Sequence, residues 1–459
     1  MPGFQPPPTV VDRQPDRSPS PGEPGPEKQY DRKVETRAAR IAVIGVGYVG
    51  LPLALAYANQ GFTVTGLDVD ESKAAMLNAG QSYLDDVPSG ALAEEVRSSR
   101  LTATGDVGVL QSADVIFVCV PTPCTKNKEP DTSQIRSAAE SIARHLRKDT
   151  LVILRSTSYP GTTEELVRPI LETSGRKVGT DVFLAFAPER VDPGRQDYTI
   201  RNTPVLVGGC DQESTRRARL VLSQVAEQVV TMSSPAAAEM AKLLENVFRN
   251  VNIALVNQLA MLCDRMGLDI WEITSAAATK PYGFLPFHPG PGVGGHCIPV
   301  DPYYLAWKAR EYDFHMDFVE LAARINDDMP YFVATKILLA LDGNHASPTP
   351  RILLLGVAFK RDIADYRDSP ALRIMEILRR RGAKVRYHDP YVPELSVGGD
   401  VFRSEPLTVE TLLEADCVVI TTDHRSINYD WVVKHARKVF DTRNATGRVS
   451  AGREKILRL

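Results

Sequence analysis

The segment from Lys280 to Asp301, KPYGFLPFHPGPGVGGHCIPVD, holds the densest set of reactive and conformationally special residues in the 459-residue chain. Five glycines and five prolines fall between Pro281 and Pro299, so the segment forms neither a helix nor a central strand. Long irregular loops in folded proteins are usually functional. Gly294 and Gly295 allow a ligand to come close to Cys297, and Asp301 follows four residues later. Three chemistries suit such a cysteine. It can be an inert buried thiol, the fate of most free cysteines and the reading given to Cys119, Cys263 and Cys417. It can join His288, His296 and Asp301 around a metal, although this spacing matches no common zinc pattern and adjacent His–Cys ligands are awkward around one ion. It can also be a nucleophile. An unperturbed thiol with a pKa of about 8.5 is only a few per cent thiolate at neutral pH, so a nucleophile needs a nearby cation. Lys242 can supply one. With Asn246, Asn250 and Asn257 it recurs at i, i+4, i+8 and i+15 on an otherwise apolar helical pattern. A polar stripe like this is equally consistent with a solvated face or an interface network. Beside a Cys–Asp loop it is read as part of a site.

A second constellation lies near the start of the folded region. Gly45-Val46-Gly47-Tyr48-Val49-Gly50 is a GxGxxG set between a strand-like run (Ile41 to Ile44) and a helix-like run (Leu51 to Gln60), and a second strand ends in Asp68. This is the context in which the motif binds a dinucleotide. Gly45 permits the tight turn, Gly47 the approach of a pyrophosphate and Gly50 close helix–strand packing. Helix N-terminal N–H groups face the phosphates. Asp68 accepts from ribose hydroxyls, and neither Val69 nor Asp70 offers a cation to a 2′-phosphate, so NAD is expected rather than NADP. A glycine turn without a ligand is the competing reading.

These residues need elements to hold them. Short, nearly all-apolar runs (RIAVIG, FTVTGLDV, ADVIFVCV, TLVILRST, TPVLVGG) alternate with helical patterns, as in a parallel sheet covered on both faces. From Ser233 a single long helix is expected, with Ser233 or Ser234 as N-cap, Pro235 in the first turn and Gly267 as terminator. Near Arg351 the strand–helix rhythm returns in RILLLGVAF, AKVRYHDP, ADCVVITTDH and KVFDTRN. The expected fold is therefore α/β: two doubly wound, Rossmann-like domains joined by a central helical domain built on one long helix. The boundaries are 1–38 for a disordered Pro-rich tail, 39–232, 233–345 and 346–459. Nine prolines from Met1 to Pro26 support the tail. A net charge of -3 offers no basic stripe for nucleic acid, and no apolar run reaches the about 18 residues of a membrane span. No secretory signal is read at the N-terminus. The six cysteines contain no CxxC pair, which points to a reducing cytoplasm.

Taken together, GVGYVGLPLA, VPTP (120–123), RST (155–157), APERV (187–191), AKLLEN (241–246) and GVGGHCIPVDP resemble the nucleotide-sugar 6-dehydrogenases, the UDP-glucose/GDP-mannose dehydrogenase superfamily, in the family's order and from about residue 40 onward. The resemblance implies an NAD-dependent enzyme that oxidises a sugar C6 alcohol twice, through a cysteine thiohemiacetal and thioester, to a uronic acid. By motif, Cys297 is then the nucleophile. Lys242 stabilises oxyanionic intermediates, and Asn246 holds the C6 oxygen or uracil-side contacts. Asp301 pairs with the lysine and orients water. Glu189 is a candidate base for thioester hydrolysis, beside Arg190 in the substrate loop. Thr122 stands near water and nicotinamide, with Ser156 and Thr157 near the cofactor. Gly294 lies against substrate, and Lys360 and Arg443 reach the UDP-sugar. For these last two, ordinary surface charge is the competing reading.

The cysteine loop looks most like the UDP-N-acetylglucosamine branch. UDP-glucose enzymes more often carry Cys-x-x-Lys-Asp, and Val300 fills that lysine position here. UDP-N-acetylmannosamine and UDP-N-acetylgalactosamine remain open. The resemblance also implies a homodimer or higher homo-oligomer and a product used in polysaccharide biosynthesis. The competing functions are a single-step β-hydroxyacid dehydrogenase, which has no use for the cysteine, and a nucleotide-sugar sensor.

Overall fold

The computed structural model describes residues 26–84, 86–125, 127–191, 197–341 and 349–459. Eight strands make the first sheet: β1 (Arg40–Ile44), β2 (Thr63–Leu67), β3 (Leu101–Thr104), β4 (Val115–Val118), β5 (Leu151–Leu154), β6 (Phe183–Phe186), β7 (Val205–Gly209) and β8 (Val229–Thr231). Their order is β3-β2-β1-β4-β5-β6-β7-β8, parallel except where β6 meets β7. Every residue of β4, β5 and β6 is buried, as helices on both faces require. The strand order reverses between β1 and β4, and the crevice outside their carboxyl ends is where such sheets bind ligands.

Helix Pro235–Met266 follows the sequence rules closely. Ser234 accepts a hydrogen bond from the Ala237 N–H, Pro235 opens the first turn, and Gly267 ends the helix at φ +68°. Its 32 residues span about 48 Å at 1.5 Å per residue. The long loop and helices Asp301–Ala309 and Asp317–Leu341 pack beside it. The second sheet comprises β9 (Arg351–Leu355), β10 (Lys384–His388), a hairpin of β11 (Glu394–Val397) and β12 (Asp400–Arg403), then β13 (Cys417–Ile420), β14 (Val439–Asp441) and β15 (Ile456–Arg458). The parallel order is β10-β9-β13-β14-β15, with the hairpin separate. Met329, Val333, Ala334 and Ile337 of helix Asp317–Leu341 belong to the core of this sheet. One helix therefore serves both the middle of the chain and its C-terminal part.

The expected tail is corrected in its last third. Residues 1–25 lie outside the described residues, but Pro26–Glu35 is a helix packed on the first sheet's core. Tyr30 and Val34, one turn apart, are buried. Asp31 pairs with Arg216 at 2.9 Å. The buried guanidinium of Arg217 lies between the rings of Tyr30 (4.6 Å) and Phe183 (3.7 Å). Two apolar anchors in a charged segment are too few for a composition argument to detect. Tyr30→Ala is expected to lower stability by about 3 kcal/mol, the scale of a buried aromatic truncation, read from the denaturant midpoint. An unchanged midpoint would return the segment to a tail.

Candidate active site

The first sheet's switch point, the long helix, the glycine–proline loop and the second sheet's first loop enclose one cleft of about 2340 Å³. Single-ligand pockets are about 300–1,000 Å³, so there is room for two large ligands. Gly45, Gly47, Tyr48, Val49, Asp68, Thr122, Ser156 and Thr157 line one side, and Glu189, Arg190, Lys242, Gly294, Cys297 and Asp301 another.

The glycine loop fits a dinucleotide. Gly45 has φ +87°, and a Cβ there would meet the Cys119 carbonyl oxygen at 2.8 Å. A Cβ on Gly50 would stand 1.8 Å from the Gly45 oxygen, so neither glycine tolerates a side chain. Gly47 faces open space, where a pyrophosphate can meet the backbone. Asp68 accepts the Val46 and Asp70 N–H groups, each at 3.0 Å, which sets its carboxylate at the strand end. Lys73 lies 3.8 Å from it, a cation that reading Val69 and Asp70 alone overlooks. Ser156 and Thr122 spend their hydroxyls on the backbone, at Val120 (2.7 Å) and Thr157 (2.6 Å). They shape the cofactor wall through the chain's course.

The polar stripe of the long helix holds the cysteine loop. Asn257 accepts the Gly290 N–H at 2.9 Å and donates to Asn326 at 3.0 Å. Asn326 donates to the Asn250 carbonyl at 3.0 Å, and Asn250 donates to the Ile298 carbonyl at 3.1 Å. Asn246 donates to the Asp301 carboxylate and accepts from Arg249. Lys242, buried at the head of this row, lines the cleft. The Asp301 N–H bonds back to the Cys297 carbonyl at 2.9 Å, so one turn of chain links the thiol and the carboxylate.

Cys297 opens onto the cleft but is ringed by protein from both sheets. Burial first, then the Asp301 charge, pushes its thiol up to about 11, against opposing pulls from Lys242, Arg249 and Arg367. The expected cation is present, and desolvation outweighs it. Burial likewise raises Asp301 to about 6, despite the Asn246 hydrogen bond and the Lys242 and Arg249 charges. The thiol therefore rests protonated beside a carboxylate more basic than usual, and about five units still separate the two groups.

Glu189 receives Arg155 at 2.5 Å and the N–H groups of Arg190 (2.9 Å) and Val191 (2.7 Å). These three donors fix the Glu189 carboxylate at the edge of the cleft. Arg190 is itself clamped by Glu245 at 2.6 Å and the Pro204 carbonyl at 2.6 Å. Asn246 is fully buried and does not line the cleft, and its amide meets Asp301. Lys360 and Arg443 do not line this cleft either. Arg443 reaches the Thr421 carbonyl at 3.2 Å and would touch any side chain placed at Gly290. His288 stacks on Trp271 with ring centroids 5.8 Å apart, and among the described residues no cluster of His, Cys, Asp and Glu is arranged to hold a metal. Arg249 and Arg155 were not singled out from the sequence. Arg249 falls at i+7 from Lys242, a spacing that extends the same helix face. Arg155 lies within the RST motif, but its partner is 34 residues away.

Three family models match consecutively: the UDP-glucose/GDP-mannose dehydrogenase family's NAD binding domain over residues 39–226, central domain over 236–328 and UDP binding domain over 353–448. A UDP-N-acetyl-D-mannosamine dehydrogenase of Pyrococcus horikoshii is 36% identical over 414 residues, 88% of this chain and 95% of that protein. A UDP-N-acetyl-D-glucosamine 6-dehydrogenase of Pseudomonas aeruginosa is 36% identical over 366 residues, 77% of this chain and 83% of that protein. The solved structure of a UDP-D-ManNAc dehydrogenase from Pyrococcus horikoshii superposes with a TM-score of 0.83 at 33% identity, covering 91% of this chain and 98% of that one.

Because Asp301 is raised in the folded state, its contribution to stability is full below the unfolded pKa near 4 and is lost as pH rises through about 6. A shift of about two units corresponds to about 3 kcal/mol. Asp301→Asn should therefore be the more stable protein at pH 8 in denaturant titrations, with an advantage that shrinks toward pH 5. Equal stability at both pH values would mean that the carboxylate is not held in a desolvated site.

Proposed function

Because the chain belongs to the UDP-glucose/GDP-mannose dehydrogenase family, and is thus an NAD-dependent UDP-sugar dehydrogenase, we propose that it oxidises the C6 hydroxyl of a UDP-N-acetylhexosamine to the carboxylate in two steps, with UDP-N-acetylglucosamine as first choice. The observation that carries this reading is the position of Cys297, open to the same cleft as the glycine loop and flanked by Lys242 and the buried, basic Asp301. A one-step alcohol oxidation needs no thiol there.

NAD, when bound, takes the hydride from C6 in each oxidation. The rest falls to this chain's side chains. As the hydride leaves C6, the hydroxyl proton passes to Asp301 and on to solvent, while the ammonium of Lys242 stabilises the negative charge developing on the C6 oxygen. Cys297 Sγ adds to the aldehyde carbon as its proton passes by way of Asp301 to the carbonyl oxygen, which leaves Asp301 ionised. The resulting thiohemiacetal is the substrate of the second oxidation, which leaves a thioester and sends the hydroxyl proton through Asp301 to solvent. Water then attacks the thioester carbon, Asp301 takes the water proton, and the C–S bond breaks to return the thiol and release the uronate. Asn246 keeps Asp301 turned toward the thiol, and Glu189, fixed by Arg155, shapes the substrate loop. Lys360 and Arg443 belong to UDP binding in this scheme, from outside the part of the cleft described here.

The 2-acetamido sugar is supported by Val300 in the lysine position of the cysteine motif and by relatives named for both UDP-N-acetylmannosamine and UDP-N-acetylglucosamine. The mannosamine epimer is the second reading, favoured by the longer match. A homodimer is supported by the long helix, which leaves Leu244, Phe248, Leu255, Leu259, Leu262 and Met266 exposed along its length. An apolar strip of this extent is what a second copy covers. A reducing cytoplasm suits a nucleophile that must stay a thiol.

The test is the yield of NADH per sugar consumed, with UDP-N-acetylglucosamine, UDP-N-acetylmannosamine and UDP-glucose run in parallel. Two NADH per acetamido sugar, with little use of UDP-glucose, is the expected result. One NADH would indicate a single-step dehydrogenase, and preference for UDP-glucose would overturn the sugar assignment.

A further inference from the structure

The second sheet has its own reversal of strand order, at the carboxyl ends of β9 and β13. There His424 is fully buried with both ring nitrogens engaged. Nδ1 accepts the Asp362 N–H at 3.0 Å, which leaves the ring proton on Nε2, donated to Asp389 at 3.1 Å. Asp389 in turn accepts the N–H groups of Val357 (2.7 Å), Ala358 (3.1 Å), Tyr391 (2.8 Å) and Val392 (3.2 Å). His424 thus joins the ends of β9, β10 and β13. Its partner Asp362 has φ +59°, a left-handed conformation that a non-glycine residue keeps only when its surroundings impose it. Here two groups do so: His424 on the N–H, and Arg425 on the carboxylate through its N–H (2.9 Å) and Nε (2.5 Å).

The turn at Asp362 sits inside the segment that backs the cysteine loop. The Phe359 N–H bonds the Asp365 carbonyl at 3.0 Å, and the Gly295 N–H bonds the Arg367 carbonyl at 3.3 Å. Side chains at the two glycines before His296 would strike Phe359: a Cβ on Gly294 would lie 2.7 Å from its Cβ, and one on Gly295 3.0 Å from its ring. Cys297 is two residues further on. His424 itself does not line the cleft.

We propose that His424 is a positioning residue for the reaction: by holding the left-handed turn at Asp362 it sets the 359–367 segment on which Gly294 and Gly295 rest, and so the place of Cys297 in the cleft. The kinetic part of its test rests on the C6-oxidation reading. The thiol-reactivity part does not.

The variants are His424→Leu, which removes both ring contacts at similar volume, and His424→Asn, whose Oδ1 can still accept the Asp362 N–H. The readouts are kcat and KM for the UDP-sugar and for NAD, and the rate at which iodoacetamide alkylates Cys297, resolved by peptide mass spectrometry without substrates. His424→Leu should lose about 10- to 100-fold in kcat/KM for the sugar, the scale of a small misplacement of a reacting group, with KM for NAD nearly unchanged. Cys297 should be alkylated faster, because loosening its loop relaxes the burial that holds the thiol protonated. His424→Asn should recover most of both losses. A folded leucine variant with native alkylation and native kcat/KM overturns the proposal, as does an asparagine variant no better than leucine or an equal rise in KM for NAD. If the leucine variant does not fold, His424→Ser, too short to span both partners, is read in its place: faster alkylation of Cys297 with KM for NAD nearly unchanged supports the proposal, and native alkylation with native kcat/KM overturns it. If the wild type turns over no UDP-sugar, the function is wrong and the alkylation rates still decide the role of His424.

Discussion

The structure depends on the cost of burying amides and a lysine along one face of a long helix. An unpaired buried amide costs several kcal/mol, and the three asparagine amides on that face each donate to a fixed partner, with the Asn250 side-chain oxygen left unpaired. The partners come from elsewhere in the chain: Asn257 takes Gly290, Asn250 takes Ile298, Asn246 takes Asp301, and Asn326 ties the next long helix to the first. A segment full of glycine and proline, with no regular hydrogen bonding of its own, is thereby held at both ends. The helix is long because it must carry these partners and still reach both sheets.

Electrostatics follow from the same burial. Lys242 and Arg249, two of the three cations that act on Cys297, would normally favour a thiolate. Here they stand beside a desolvated carboxylate, and the balance leaves the thiol protonated and Asp301 raised. A resting thiol of this kind resists adventitious oxidation and alkylation better than a thiolate. Glu239 shows the structural counterpart. It is a buried carboxylate on the same helix, raised to about 7 by burial, that accepts the Gly161 N–H at 2.6 Å and the Thr163 N–H at 2.9 Å. It pins the segment after β5, which carries Ser156 and Thr157, to the helix that carries Lys242.

Much of this arrangement was legible in the residues. The glycine fingerprint, Asp68, the cap at Ser234, the stop at Gly267 and the Cys–Asp loop all follow from local rules, because turn chemistry and helix capping act over a few residues. What escaped is long-range. The helix at Pro26–Glu35 rests on Tyr30 and Val34 alone, and its packing depends on Arg217, far along the chain. β3 (LTAT) and β8 (VVT) mix threonine into short runs and do not stand out, whereas β6 (FLAF) is as apolar as β4 and β5 and was open to the same reading. That Glu189 is saturated with donors depends on Arg155, and that Arg443 turns toward Gly290 depends on where two domains meet. The sign of the shift at Cys297 is a competition between burial and charge, and spacing carries the charge but not the burial.

The central claim is that Cys297 carries the sugar covalently between the two oxidations. The direct measurement is the mass of the Cys297 peptide after the wild-type enzyme is mixed with UDP-N-acetylglucosamine and NAD and quenched in acid during turnover. Covalent carriage requires a UDP-sugar adduct on Cys297 that hydroxylamine removes and that is absent in Cys297→Ser, a variant that makes no acid. Acid formation by Cys297→Ser at the wild-type rate would contradict it.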